Sequence, residues 1–135
     1  MTNKEYLKQL WTLDGEIAVL SQEIEDLRIR AKCIGSPNTD CERVMTSPDQ
    51  EARYTKYIAE MVDIMDMVRR QQEQYASLRK RITQSICQMD NADERIVLRR
   101  RYLLHQTWEQ IAEEMNASRR TVIYWHGTAL IHFKQ

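Results

Sequence analysis

The chain has 135 residues, with 42% hydrophobic, 30% charged and only 7% aromatic side chains, two prolines and three glycines, a balance that points to an all-α protein with long helices, built as one domain or one small domain plus an extension. Its 20 Lys and Arg offset 20 Asp and Glu, which argues against a strong non-specific polyanion binder and means that a single copy would hold any polyanion weakly. No apolar run approaches the ~18 residues of a membrane span, the opening MTNKEYLKQL lacks an apolar signal core, and the odd cysteine count (Cys33, Cys41 and Cys87) argues for reduced thiols, so a cytoplasmic location and no membrane partner are expected.

Residues 3–34 are predicted to form the first long helix. Tyr6, Leu10, Leu13, Ile17, Leu20, Ile24, Leu27, Ala31 and Ile34 are spaced alternately four and three apart. Such an a/d heptad seam requires another helix against it. Gly15 lies off the seam and weakens the helix by ~1 kcal/mol relative to Ala. Residues 35–47 read as a loop, because Gly35 and Pro37 stand among Ser, Asn, Thr and Asp.

A second long helix is predicted over 48–88, with Ser47 as N-cap, Pro48 at the first helical position and acidic residues in the first turn. Its seam runs Tyr54, Tyr57, Met61, Ile64, Val68, Gln71, Tyr75, Leu78 and Ile82, and Gln71 is a polar break of the kind that fixes register or partner number. Two heptad helices joined by one loop fold most simply as a long antiparallel helical hairpin, a coiled coil, here residues 1–88. Leu7, Trp11, Ile58, Val62 and Met65 widen the stripes beyond the seam. A second hairpin is therefore expected to pack on the first, giving a homodimeric four-helix bundle.

Residues 91–135 divide into three short predicted helices at about 92–105, 107–115 and 118–133. Asn91 with Glu94 and Thr107 with Gln110 have capping-box spacing, and Ser118 is an N-cap candidate. Trp108, Ile111, Ala112 and Met115 form one apolar face, Val122, Trp125, Ala129, Leu130 and Phe133 another, and Val97, Leu98 and Tyr102 complete the core. Asn116-Ala117 leaves only a tight turn, and Asn tolerates the left-handed backbone a turn needs. The last two helices thus read as a helix-turn-helix. Arg119, Arg120, Ile123, Tyr124, His126 and Gly127 are expected to stay exposed on the final helix, the first four in the turns that meet base edges in a major groove. Arg pairs bidentately with guanine, and Ile or Tyr contacts a thymine methyl. Thr107, Ser118 and Arg99 or Arg101 are the expected phosphate contacts.

VLRRRY at 97–102 and the ungapped TWEQIAEEMNASRRTVIYWHGTAL at 107–130 resemble region 4 of bacterial sigma-70 factors, over about a third of the chain. By position, the resemblance puts Arg119, Arg120, Ile123 and Tyr124 at the places that read the upstream promoter element. Arg120 stands where an acidic residue is usual and Ile123 where a basic one is usual, so the family's consensus promoter sequence does not carry over. A long helical hairpin followed by a sigma-70 region 4-like helix-turn-helix is similar to small phage and prophage late-gene regulators of the ArpU/RinA type. The resemblance implies control of transcription in a phage or element-transfer programme, acting with host RNA polymerase. There is no counterpart of the sigma segment that melts promoters.

No phosphate-cradling glycine loop, nucleophile elbow or HExxH occurs, and His105, His126 and His132 are scattered without metal-ligand spacing. No catalytic site, metal or cofactor is expected. Two competing readings are a small terminase-like DNA-packaging subunit, whose domains often come in the reverse order, and a helical protein-interaction scaffold.

Overall fold

A computed structural model describes residues 1–33 and 48–135. The expected loop at 35–47, with Cys41, Met45 and the Ser47 cap, and the seam residue Ile34 lie outside the described residues. Every element among the described residues is helical, as the composition predicts. In order they are α1 (Asn3–Cys33), α2 (Pro48–Cys87), α3 (Ala92–Leu98), a π-helical segment (Arg99–Leu103), α4 (Trp108–Glu114) and α5 (Arg119–His132). None of them is long and apolar enough to cross a membrane.

The chain forms two units, Met1–Asp14 with Gln74–Gln135, and Gly15–Glu73. The expected boundary between 1–88 and 91–135 does not follow this division, because the opening turns of α1 and the closing turns of α2 share a core with the C-terminal helices.

In the first unit, Leu7 and Leu10 of α1 and Leu78, Ile82 and Ile86 of α2 are buried in one cluster with Met89, Leu98, Tyr102, Leu103, Ala129 and Phe133. Leu7, a side position in the heptad reading, is fully buried. Adjacent residues of α3 feed different clusters. Leu98 joins the one just described, while Val97 packs with Ile111, Ala112 and Val122, flanked by Trp108, Met115 and Trp125. The apolar faces expected for α4 and α5 are therefore present, and α5 is buried from two directions.

The caps explain where the short helices begin. The Asn91 side chain accepts from the amides of Asp93 and Glu94. Glu94 does not reach back to complete a box; it is buried and its carboxylate meets His132 Nδ1 at 2.9 Å. Thr107 and Gln110 do form a full capping box, and Ser118 accepts from the Thr121 amide at 3.1 Å. Each cap of this type contributes ~1 kcal/mol.

The first C-terminal helix departs from the expected α-helix over 92–105. After Leu98 it widens, and the Leu104 amide bonds to the Arg99 carbonyl five residues back at 3.0 Å. His105 follows with a left-handed φ of 55°. The wide turn keeps Tyr102 and Leu103 in the core while the three consecutive arginines reach different partners: Arg99 meets Cys87, Arg100 meets Glu114 and Arg101 meets the rings of Trp11 and Trp108. A π turn inside an α-helix commonly marks a position under functional or packing constraint.

The second unit has fewer fully buried side chains. Leu27 and Ala31 are buried, Ile17, Leu20, Ile24, Tyr57, Met61, Ile64 and Val68 are half-buried, and Gln71 Nε2 donates to Glu16 Oε2 at 3.0 Å. Tyr54, Ile58, Val62 and Met65 are exposed, Val62 to 58%. Asp66 takes ion pairs from Arg69 and Arg70, whose charges and hydrogen bonds hold its carboxyl below the ordinary range.

Candidate functional site

The site is built around the opening turns of α5. Ser118 starts the helix, and Val122, His126, Ala129 and the following Phe133 fix its inner side. The turn before it depends on Asn116, whose φ of 52° is the left-handed conformation that Asn adopts more readily than other side chains. The Ala117 amide then bonds to the Ala112 carbonyl at 3.0 Å, closing α4 onto the start of α5.

Arg119, Arg120, Ile123 and Tyr124 are all exposed, Tyr124 to 68%. At 100° per residue they share one continuous face with Gly127 and Ile131. Gly127 has nothing within 4 Å of where a Cβ would stand. Arg119 Nε pairs with Glu109 Oε1 on α4 at 3.2 Å, with the two side chains 61% and 66% exposed. A pair this open to solvent is worth ~0–1 kcal/mol, so little opposes turning Arg119 toward a ligand.

The four residues expected at phosphates differ in how far they are free. Ser118 and Thr107 are exposed; each oxygen already accepts from a helix amide, the Ser118 hydroxyl also shares a hydrogen bond with the Thr121 hydroxyl at 2.8 Å, and the Thr107 hydroxyl can still donate. Arg99 donates to Cys87 Sγ at 2.9 Å. Arg101 lies between two indoles, 4.8 Å from the Trp11 ring centroid and 4.3 Å from that of Trp108, and donates to the Gln106 carbonyl at 2.9 Å. Cation–π stacking on two rings gives Arg101 a structural task within the unit. The neighbouring Arg100 ion-pairs with Glu114, which also accepts from Gln106.

His126 departs from the expected exposure. It is buried, its Nε2 meets the Tyr102 hydroxyl at 2.9 Å, and the edge of its ring contacts Trp108 with centroids 4.8 Å apart. Burial, with Lys4 and Arg101 nearby, depresses its pKa to about 4, and burial pushes Tyr102 up to about 12. Both side chains are neutral at pH 7 and form one hydrogen bond inside the core. Sequence spacing places His126 beside the exposed face, about 20° from Arg119 on its inner flank. Only the partner 24 residues earlier in the chain decides that it turns inward.

Sequence reasoning also missed the Trp11–Arg101–Trp108 stack and the Glu94–His132 pair. The first joins residues 97 positions apart, and the second takes Glu94 from its expected capping role. No local periodicity signals either.

No family model matches the chain, and neither a curated protein nor a solved structure does.

Proposed function

We propose that the protein is a sequence-specific double-stranded-DNA-binding transcription regulator of a phage or prophage, acting at promoters with host RNA polymerase in the bacterial cytoplasm. In this reading α4, the Asn116 turn and α5 are a helix-turn-helix similar to sigma-70 region 4. Arg119, Arg120, Ile123 and Tyr124 read bases, and Ser118 and Thr107 hold phosphates. Arg101 serves by fixing Trp108, and hence α4, in place. The resemblance rests on VLRRRY and TWEQIAEEMNASRRTVIYWHGTAL as quoted above.

One observation carries the reading. The first two turns of α5 expose two arginines, an isoleucine and a tyrosine on one face, while Val122, His126 and Ala129 on the other side are buried and Trp125 is half-buried. A helix held this way can enter a major groove without unfolding anything, and its exposed side chains are of the types that contact guanine and the thymine methyl.

In the same reading α1 and α2 form a coiled-coil hairpin that pairs with a second copy. The exposed Tyr54, Ile58, Val62 and Met65 of α2 support this. Leu7 and Trp11, also expected at that interface, are engaged within their own chain instead. Dimerisation doubles the number of phosphate contacts, which suits a chain of zero net charge.

The test is retention of phage and host genomic fragments on the immobilised protein, with sequencing of what is retained. Discrete fragments are expected. Arg119→Ala with Arg120→Ala is expected to abolish their enrichment over bulk DNA, since each bidentate arginine contact is worth ~1–3 kcal/mol of discrimination. Unchanged enrichment would refute the base-reading assignment. Light scattering at micromolar concentration tests the dimer, and a monomer mass would refute it.

A further inference from the structure

The basic residues of the C-terminal segment are mostly spent inside the protein. Arg95 donates to the carbonyls of Met89 and Asp90, Arg99 to Cys87, Arg100 to Glu114, and Arg101 lies between two tryptophans. Arg119, whose solvent-open pair with Glu109 yields readily, and Arg120 are assigned to bases. Within residues 91–135 this leaves Lys134 for phosphates. A helix that enters a groove between two phosphate backbones needs more cations along its flanks than this one.

The start of α1 supplies them. Asn3 Nδ2 donates to the carbonyls of Leu130 and Phe133, each at 2.8 Å, and so caps the end of α5. Leu7 is fully buried one turn later. One turn further, Trp11 stacks on Tyr102 with centroids 5.3 Å apart, and the Tyr102 hydroxyl meets His126 of α5. Three anchors thus hold the first turns of α1 along one flank of α5. Lys4 and Lys8 are a single turn apart and exposed. At 100° per residue they lie on the same shoulder of α1 as Trp11, the shoulder turned toward Tyr102 and His126. Neither is in an ion pair among the described residues, and Lys4 is close enough to α5 to disfavour protonation of His126. The intervening Glu5 lies further round the helix and accepts from the Thr2 amide at 2.7 Å.

We infer that Lys4 and Lys8 contact phosphates of the duplex whose groove α5 enters, so that the opening turns of α1 belong to the DNA interface. The inference rests on the DNA-binding reading above and extends it to a part of the chain outside the sigma-like segment. Such contacts carry no sequence information; they set affinity and orientation. They also offset the partial negative charge at the C-terminus of α5, which would otherwise repel a phosphate on that side.

The experiment is a salt titration of the full chain on a random-sequence DNA duplex, following the slope of log affinity against log salt concentration. Lys4→Gln and Lys8→Gln are each expected to make the slope shallower by about 0.9, and the double variant by about 1.8, equally on specific and random duplexes. Lys56→Gln, an exposed lysine of the second unit, is expected to leave the slope unchanged. The charge-retaining pair Lys4→Arg with Lys8→Arg is expected to restore it. A double glutamine variant with the wild-type slope would overturn the inference, as would an equal effect of Lys56→Gln or failure of the arginine pair to restore binding. A wild-type chain that binds no duplex at all would overturn the DNA reading itself, an outcome distinct from a bound duplex with an unaltered slope.

Discussion

The two units start from the same sequence pattern and end at different depths of burial. Both draw on the four-three spacing of α1 and α2. In the first, Leu10, Leu78 and Ile82 occupy seam positions and are buried, because α3, the π segment and α5 add a further layer over them. In the second, Leu27 and Ala31 of the seam are buried, but Ile17, Leu20, Ile24, Met61, Ile64 and Val68 at equivalent positions remain half-buried, with Ile58, Val62 and Met65 beside them exposed. A heptad repeat specifies which side of a helix is apolar, and the number of neighbours decides how dry that side becomes. The second unit therefore leaves apolar surface beside its seam, whereas the apolar side chains that the first unit exposes, such as Leu104, Tyr124 and Ile131, lie in its C-terminal segment and away from the seam.

The largest effect expected from this contrast is in the cores. Ile82→Ala should cost 2–5 kcal/mol in denaturant unfolding, the range for a buried large-to-small change. Ile64→Ala, at a half-buried seam position, should cost less than half as much in the monomer. Equal losses would show that the two units are equally packed and break the comparison.

A pH titration sharpens it next. His126 has its folded pKa lowered to about 4 from the ordinary 6.5. The unfolded chain therefore binds the proton first as pH falls. The stability that neutral His126 contributes is fully present above pH 6.5 and is lost as pH drops toward 4. His126→Gln, which keeps a hydrogen-bonding group for Tyr102 and does not titrate, should flatten this part of the curve. An unaltered acid limb would mean that His126 is solvated.

Asn116→Ala comes third, at about 1–2 kcal/mol for a left-handed residue that loses its side-chain compensation, while Asn116→Gly should be close to neutral. The smallest effect on folding is expected at the exposed stripe of the second unit. Val62→Lys should change unfolding by less than about 0.5 kcal/mol and yet shift the mass measured by light scattering from dimer to monomer. A large folding penalty there would mean that Val62 is already covered within the chain.

Much of this was legible in the sequence. The α1 and α2 ranges, the Thr107 and Ser118 caps and the Asn116 turn follow from local chemistry, because each depends on residues within a few positions of one another. The exposure of Arg119, Arg120, Ile123 and Tyr124 follows from the apolar spacing of Val122, Trp125 and Ala129 on the other side of the helix. What the sequence concealed depends on partners far along the chain. Leu7 and Trp11 look like dimer-facing side positions until Tyr102 and Leu103 are brought against them. Arg101 looks like a phosphate ligand until Trp11 and Trp108 close on either side of it. Glu94 has capping-box spacing, but His132 competes for its carboxylate and wins.

The wide turn at Arg99–Leu103 makes the chain sensitive to length at that point. The wide turn already takes up one extra residue, so a further residue inserted between Arg99 and Arg100 would find no slack and would turn everything downstream by about 100°. Arg101 would swing away from its two indoles, and α4 and α5 would arrive out of phase with Leu98. A single-codon insertion in this stretch is thus a far more drastic edit than any one side-chain exchange within it.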